Sequence, residues 1–164
     1  NHQEGLTVSH AFTEALAGGN GAIGKAGFAA GTTTTTTTAA FAYMIEGIQY
    51  TKAAAANAAT PTLDGATNKA FRAVNPGQAC NFVFGVDKTG AIAVWQGERV
   101  DAGTPADWPA IPFTHAVYGV LRVDSAASNG VAFTLGASNM AGLTGVTYKF
   151  SDIVGQSARP LKAA

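Results

Sequence analysis

The residue types that most often carry catalysis or bind metals are few in this chain and far apart. The histidines are His2, His10 and His115, and the single cysteine is Cys80. A zinc site needs three or four convergent ligands, and no short-spaced set of His, Cys and Asp residues is present. The Gly-x-Ser-x-Gly turn that carries the nucleophile of many hydrolases is also absent. The sequence therefore predicts that the protein is not an enzyme and holds neither a metal nor a cofactor.

Two short motifs resemble ligand-binding loops but fit ordinary turns better. The glycine-rich run at 18–24 lacks a preceding strand, and its Lys25 is not followed by Ser or Thr, so the phosphate-loop pattern is not met. The Asp-Lys-Thr-Gly sequence at 87–90 has Asp87 as its one acidic side chain, whereas a calcium loop needs several oxygen ligands. Asp at its start and Gly at its end favour a tight turn between strands.

Aromatic residues are the remaining candidates for a functional role, and that role is binding. We predict an interface that includes Trp95, Trp108, Phe12 and Phe28, because aromatic side chains, Trp above all, are over-represented at protein contacts. Two alternatives stay open. Trp108 can instead plug the end of a β-sandwich core, and the two tryptophans with the tyrosines can form a sugar-binding platform. Cys80 lies in an apolar, strand-like segment and is predicted to be a small core residue.

The charge of the chain argues against nucleic acid and membranes as partners. Ten basic residues balance ten acidic ones, and only 12% of the residues are charged, so there is no electrostatic basis for binding nucleic acid or an anionic membrane.

No run of about 20 apolar residues suits a transmembrane helix, and no signal peptide is visible. The sequence begins at Asn1 rather than Met, either through cleavage or because it starts late. A near-zero net charge favours association, which indicates a protein that works in an assembly.

The best-defined element is a β-hairpin over residues 39–54. Its central Glu-Gly pair makes a two-residue turn, in which the glycine tolerates a positive φ. This turn places Tyr43 opposite Tyr50 and Ile45 opposite Ile48. Aromatic pairs of this kind stabilise antiparallel strands.

Later stretches follow the same design. A second hairpin is predicted over residues 79–96, around the Asp-Lys-Thr-Gly turn. The next strand, residues 115–124, carries apolar residues on both faces and is predicted to be central and covered on both sides. Simple alternation places Val117 and Leu121 on one face of this strand.

Further strands are predicted at 131–135 and 146–154, and residues 67–74 are predicted to form one helical turn or an edge strand. The total of seven or eight strands predicts an all-β fold, an antiparallel β-sandwich or small barrel. The side chains predicted to point inward are Tyr43, Ile45, Ile48, Tyr50, Phe82, Phe84, Val86, Ile92, Val94, Val117, Leu121, Val123, Phe133, Leu135, Val146, Tyr148 and Phe150.

Three regions are predicted: an N-terminal arm at 1–31, partly helical or extended, a β-sandwich domain at 32–154 and a C-terminal tail at 155–164. The arm has a candidate helix that ends near residue 17, and then too many glycines for a helix and too little bulk for a core. It is predicted to become ordered only where another molecule orders it. The two alternatives are an arm that lies across a neighbouring subunit and a disordered tail. Seven threonines at 32–38 are predicted to form a solvated, extended strand.

Three stretches of the sequence resemble a pattern known from another group of proteins. The segment Phe41-Ala-Tyr-Met-Ile-Glu-Gly-Ile-Gln-Tyr-Thr-Lys-Ala is similar to the aromatic-x-Tyr-x-Ile-x-Gly-x-x-Tyr-x-Lys-Ala hairpin, after a Thr-rich lead, of structural proteins of tailed bacteriophages. Phe84-Gly-Val-Asp-Lys-Thr-Gly-Ala resembles their Asp-x-x-Gly hairpin. Trp108-Pro-Ala-Ile-Pro, followed by Ala116-Val-Tyr-Gly-Val-Leu, agrees with the same pattern. Together the three stretches extend the resemblance over residues 32–154.

The resemblance implies a β-domain of a virion, a capsid decoration or cement protein that is often a trimer. Its expected partners are the major capsid protein and further copies of the chain, and its expected location is the capsid surface, after assembly in the host cytoplasm. Such proteins have no catalytic residues to carry over. One alternative is a receptor- or glycan-binding module of a head fibre or tail, for which an exposed aromatic patch containing Trp95 or Trp108 is expected. Another is a non-viral filament subunit in which the arm completes a neighbour's sheet.

Overall fold

The structure, a computed structural model, describes residues 19–155, which form eleven strands and no helix. All strand pairings are antiparallel, so the predicted all-β, sandwich-like fold is confirmed. The strands are β1 (Gly21–Ala22), β2 (Ala29–Ala30), β3 (Thr36–Thr38), β4 (Phe41–Ile45), β5 (Ile48–Lys52), β6 (Ala55–Ala58), β7 (Gln78–Asp87), β8 (Ile92–Gln96), β9 (Val100–Asp101), β10 (His115–Ser125) and β11 (Val146–Asp152).

Strands β1 to β6 form the first layer, which we call the ribbon. β4 and β5 make the first hairpin with β1 beside β4, while β3 and β6 continue the hairpin into a further sheet with β2 beside β3. Tyr43 pairs with Tyr50 in the predicted register, and their rings stack with centroids 5.6 Å apart. Glu46 and Gly47 have φ values of 51° and 78°, the left-handed pair that a two-residue hairpin turn requires.

The second layer, which we call the main sheet, has the strand order β11-β10-β7-β8, with β9 also paired to β7. The predicted second hairpin is β7 and β8, in which Phe84 pairs with Val94. In its turn, the Asp87 carboxylate accepts hydrogen bonds from the N–H groups of Thr89 and Ala91, at 2.8 and 3.0 Å. The turn interpretation of this motif is therefore confirmed.

β10 is the central strand of the main sheet and is buried on both faces over most of its length, as predicted. Its register with β7 shifts between Val117 and Gly119, which leaves Tyr118 as an extra residue. A β-bulge of this kind interrupts the alternation of faces. The predicted common face of Val117 and Leu121 is therefore wrong: Leu121 faces the ribbon, whereas Val117 packs on the opposite side of the sheet.

The main core lies between the ribbon and the main sheet. Most of the side chains predicted to point inward are buried there, and Tyr50 and Tyr148 are half-buried against it. Ile48 is an exception, with 58% of its surface exposed, because it adjoins the turn at the end of the ribbon. A smaller outer cluster covers the other face of the main sheet. Its buried members are Val83, Trp95, Ile111, Val117 and Val120.

The predicted extent of the N-terminal arm, to residue 31, is wrong. β1 pairs with β4 and β2 pairs with β3, so this part of the chain belongs to the ribbon of its own subunit. Phe28 is 5% exposed, and its ring lies 4.6 Å from that of Phe84 in the main core. One large side chain provides the burial, while small neighbours let the backbone lie close to β3 and β4. Residues 1–18 and 156–164, which include the candidate helix and most of the tail, lie outside the described residues.

The threonine run is only partly a strand. Thr36 and Thr38 are buried rather than solvated, whereas Thr37 is half-buried, so one face of β3 points into the fold. The first part of the run forms a turn, in which the Asn57 side-chain oxygen accepts hydrogen bonds from the N–H and hydroxyl of Thr32. The segment after the first hairpin contains β6, which provides this asparagine.

The predicted strand at 131–135 does not form. Phe133 instead makes a single bridge to Val74, because the chain turns on both sides of it: Gly130 N–H bonds to the Ala126 carbonyl before it, and Thr134 starts another turn after it. Residues 67–74 form neither a helical turn nor a strand, although Phe71 and Val74 are buried. These loops close one side of the main core.

Candidate functional site

Of the four residues predicted to form an interface, Trp95 belongs to the outer cluster and Trp108 packs against it, whereas Phe28 lies on the other side of the main sheet. Phe28 lies in the main core, and Phe12 lies outside the described residues. Trp95 is 2% exposed, so its side chain offers almost no surface to a partner. Trp108 is half-buried and packs against the outer cluster, which agrees with the alternative that it covers a core.

Trp95 is buried because two glycines make room for its indole. A methyl group placed on Gly85 would lie 2.9 Å from Cζ3 of Trp95, and one placed on Gly65 would lie 2.7 Å from its Nε1. The His115 ring meets the indole edge-on, with centroids 4.8 Å apart. The sequence gives no local signal for this arrangement, because the three contacts come from separate parts of the chain.

A surface cleft of about 380 Å³ lies beside this tryptophan, at the lower end of the size range of ligand pockets. Its wall is a proline-bounded stretch in which Ile111 is buried and Phe113 is 48% exposed. None of the lining side chains is ionisable, so the cleft is suited to binding an apolar group and has no acid or base for catalysis. The lining residues are Gly65, Ala66, Trp95, Ala110, Ile111, Pro112 and Phe113.

The outward side of the ribbon is a second candidate surface, which we call the ribbon face. Because Tyr43 points into the core, its neighbours Ala42 and Met44 point outward. Across the ladder, Ala42 lies opposite Thr51, and Met44 lies opposite both Gln49 and Gly21. Gly21 is buried, and the accessible residues of the ribbon face are Ile23, Ala42, Met44, Gln49 and Thr51, none of which is charged.

The ribbon face also has a free edge. β5 is the last strand of its sheet, with no strand on its outer side within the part of the chain that the structure describes. Ile48 at its start is exposed, as is Ile23 on the opposite side of the ribbon, which is 48% exposed. An uncharged sheet face with an unpaired edge is typical of a surface that another protein covers.

Ionisable groups near the second hairpin stabilise its turn. Burial alone would raise the pKa of Asp87, but hydrogen bonds from Thr89 and Ala91 outweigh it and hold the pKa below its ordinary value. Burial lowers the pKa of His115, and the negative charge of Asp87 partly opposes this effect.

Within residues 19–155, no group of three or more His, Cys, Asp and Glu side chains is arranged to hold a metal ion.

The single cysteine is a core residue, as predicted. Cys80 is fully buried, and burial is the main cause that raises its pKa to about 11. The thiolate, which is the reactive form, is therefore scarce at neutral pH.

No helix within residues 19–155 has the length and apolar character to cross a membrane. The chain matches no protein-family model, and no curated protein or solved structure is significantly similar to it.

Proposed function

We propose that this chain is a non-enzymatic structural protein of a virion, a capsid decoration or cement protein. In this role it is made in the host cytoplasm, binds the major capsid protein on the capsid exterior and stabilises the contacts between capsomers. Self-association as a trimer is part of the proposal. The sequence resemblance of the hairpins suggests this class of protein, and the ribbon face is the observation that supports a binding role.

The two layers differ in charge in a way that favours contact through the ribbon. Residues 19–58 contain three charged residues in 40 (Lys25, Glu46 and Lys52), whereas residues 59–155 contain thirteen in 97, so the charged fraction of the ribbon is a little over half as large. The Lys52 ammonium is held at 2.9 Å from the Gly90 carbonyl. Because the cores of protein interfaces are depleted in charged residues, the ribbon is the better candidate for the buried side of an assembly.

Many weak contacts through the ribbon are enough to attach a protein to a capsid. Each copy of a lattice-bound oligomer brings the next contact to a high effective concentration, so modest individual affinities give firm attachment. The exposed Ile23 and Ile48 provide apolar area for such contacts, and the free edge of β5 provides backbone donors and acceptors.

Co-sedimentation with empty capsids of a tailed phage tests the proposal, with light scattering to measure the oligomer. We expect the wild-type chain to pellet with capsids and Ile23→Lys to pellet less. Val131→Lys, which adds the same charge at a residue of similar exposure (40%, against 48% for Ile23) outside the ribbon, serves as the control. A wild-type chain that stays in the supernatant contradicts the function, and equal binding by both variants contradicts the role of the ribbon face.

The alternative of a glycan-binding module loses its main support. It required an exposed aromatic platform containing Trp95 or Trp108, but Trp95 is buried and Trp108 packs against the outer cluster. A glycan array that gives signal with the wild-type chain and none with Trp108→Ala would restore this alternative.

A further inference from the structure

We propose that the cleft beside Trp95 binds apolar side chains from residues 1–18 of the same chain. The inference is independent of the proposed role on a capsid. It rests on where the chain enters the described structure, on the chemistry of the cleft and on the length of the segment that precedes it.

The chain enters the described structure at the wall of the cleft. The Asn20 side chain is 3% exposed, and its amide donates hydrogen bonds to the carbonyl oxygens of Phe113 and His115, the latter at 3.1 Å. Its side-chain oxygen accepts from the Glu46 N–H at 3.0 Å. These three bonds fix Asn20 beside Phe113, which lines the cleft. The described chain therefore starts next to this site.

The cleft and the segment have matching chemistry. The lining has no charged group, and the half-exposed Phe113 ring is its main accessible aromatic surface, so transfer of an apolar side chain into it is favourable. The segment contains four large apolar residues, Leu6, Val8, Phe12 and Leu16, in a stretch with no lysine or arginine. Phe113, almost half exposed, would be covered by such a side chain.

The tether is long enough for the segment to reach its own cleft. Leu16 is four residues before Asn20 and Phe12 is eight, which allows spans of at most about 14 and 28 Å. A tethered group is present at an effective concentration in the millimolar range. At micromolar protein this favours the chain's own segment over the same segment of a second copy.

Disulfide cross-linking tests the proposal in the full chain. The pair Ala15→Cys and Ala66→Cys places one thiol in the segment and one at the cleft, and both changes are small. Cys80 does not compete, because it is fully buried with a pKa raised to about 11. We expect oxidation of dilute protein to give a cross-linked monomer, at a rate that does not depend on protein concentration.

Two comparisons make the result decisive. The pair Ala15→Cys and Val131→Cys, which tests an exposed position outside the cleft, should cross-link much more slowly. Adding Phe12→Ser and Leu16→Ser to the cleft pair should reduce its rate to that of this control. A cross-linked dimer as the main product, or equal rates for the cleft pair and the control, would overturn the proposal.

Discussion

The ring of Phe28 lies directly on the backbone of Gly119, so a methyl group placed on this glycine would be only 2.5 Å from Cδ1 of the ring. Gly119 follows the bulge at Tyr118 in the central strand, and Phe28 belongs to the segment that was predicted to be an arm. This contact joins the ribbon to the main sheet at the centre of the core.

Gly119→Ala should destabilise the protein, because the buried Phe28 ring has no space to move away. Overpacking of this kind costs about 1–3 kcal/mol, measurable as a lower denaturation midpoint in urea. In a double-mutant cycle with Phe28→Ala, the two losses should not add, since removal of the ring also removes the clash. Additive losses would mean that the two residues do not interact.

Truncation should distinguish residues 1–18 from residues 19–31, the two parts of the predicted arm. Removal of residues 1–18 should leave a folded protein with a cooperative unfolding transition. Removal of residues 1–31 should also remove β1, β2 and Phe28, and loss of a buried Phe side chain alone costs about 3–5 kcal/mol. Circular dichroism during thermal unfolding measures both. A longer truncation as stable as the shorter one would refute the assignment of β1 and β2 to the ribbon.

Removal of the hydroxyl should lower the free energy of unfolding at Tyr43 but not at Tyr118. The Tyr43 hydroxyl donates to the Asp87 carbonyl at 2.7 Å, so Tyr43→Phe should cost about 1 kcal/mol. The Tyr118 hydroxyl is buried and has no hydrogen-bond partner among residues 19–155, and burial raises the pKa of this group. Tyr118→Phe should therefore be neutral or stabilising by about 1 kcal/mol. A clear loss of stability would mean that the Tyr118 hydroxyl has a partner in solution.

Because of the Asp87 turn in the second hairpin, the free energy of unfolding should decrease at acidic pH. Because hydrogen bonds hold the folded pKa of Asp87 below its ordinary value despite burial, its carboxylate stabilises the fold above the ordinary pKa of about 4. This contribution is lost as pH falls through the lower folded pKa.

Replacement of this carboxylate provides the measurement. The stability difference between wild type and Asp87→Asn should be about 1 kcal/mol at neutral pH and should shrink below about pH 4. Asp107→Asn is the control, since the Asp107 carboxylate accepts no hydrogen bond from another described residue. A difference between wild type and Asp87→Asn that is constant from pH 7 to pH 2 would contradict the assigned role.

Local signals in the sequence were enough for the hairpins and for the all-β class. The Glu-Gly and Asp-Lys-Thr-Gly turns each restrict a few neighbouring residues, and alternation around them fixes which residues pair, so the pairing of Tyr43 with Tyr50 was predictable. The central position of β10 was also predictable, from apolar residues on both of its faces. In each case the physical cause lies within about ten residues of the chain.

Tertiary structure alone decided the position of residues 19–31, the face of Val117 and the burial of Trp95. Each depends on a partner far away in sequence: Phe28 needs Gly119, the bulge in β10 needs β7, and Trp95 needs the space left by Gly65 and Gly85. The candidate cleft has the same origin, since Asn20 links its wall near Phe113 to the start of the described chain, more than 90 residues earlier. A glycine-rich segment has little bulk of its own, and contacts with the rest of the fold determine whether it is ordered.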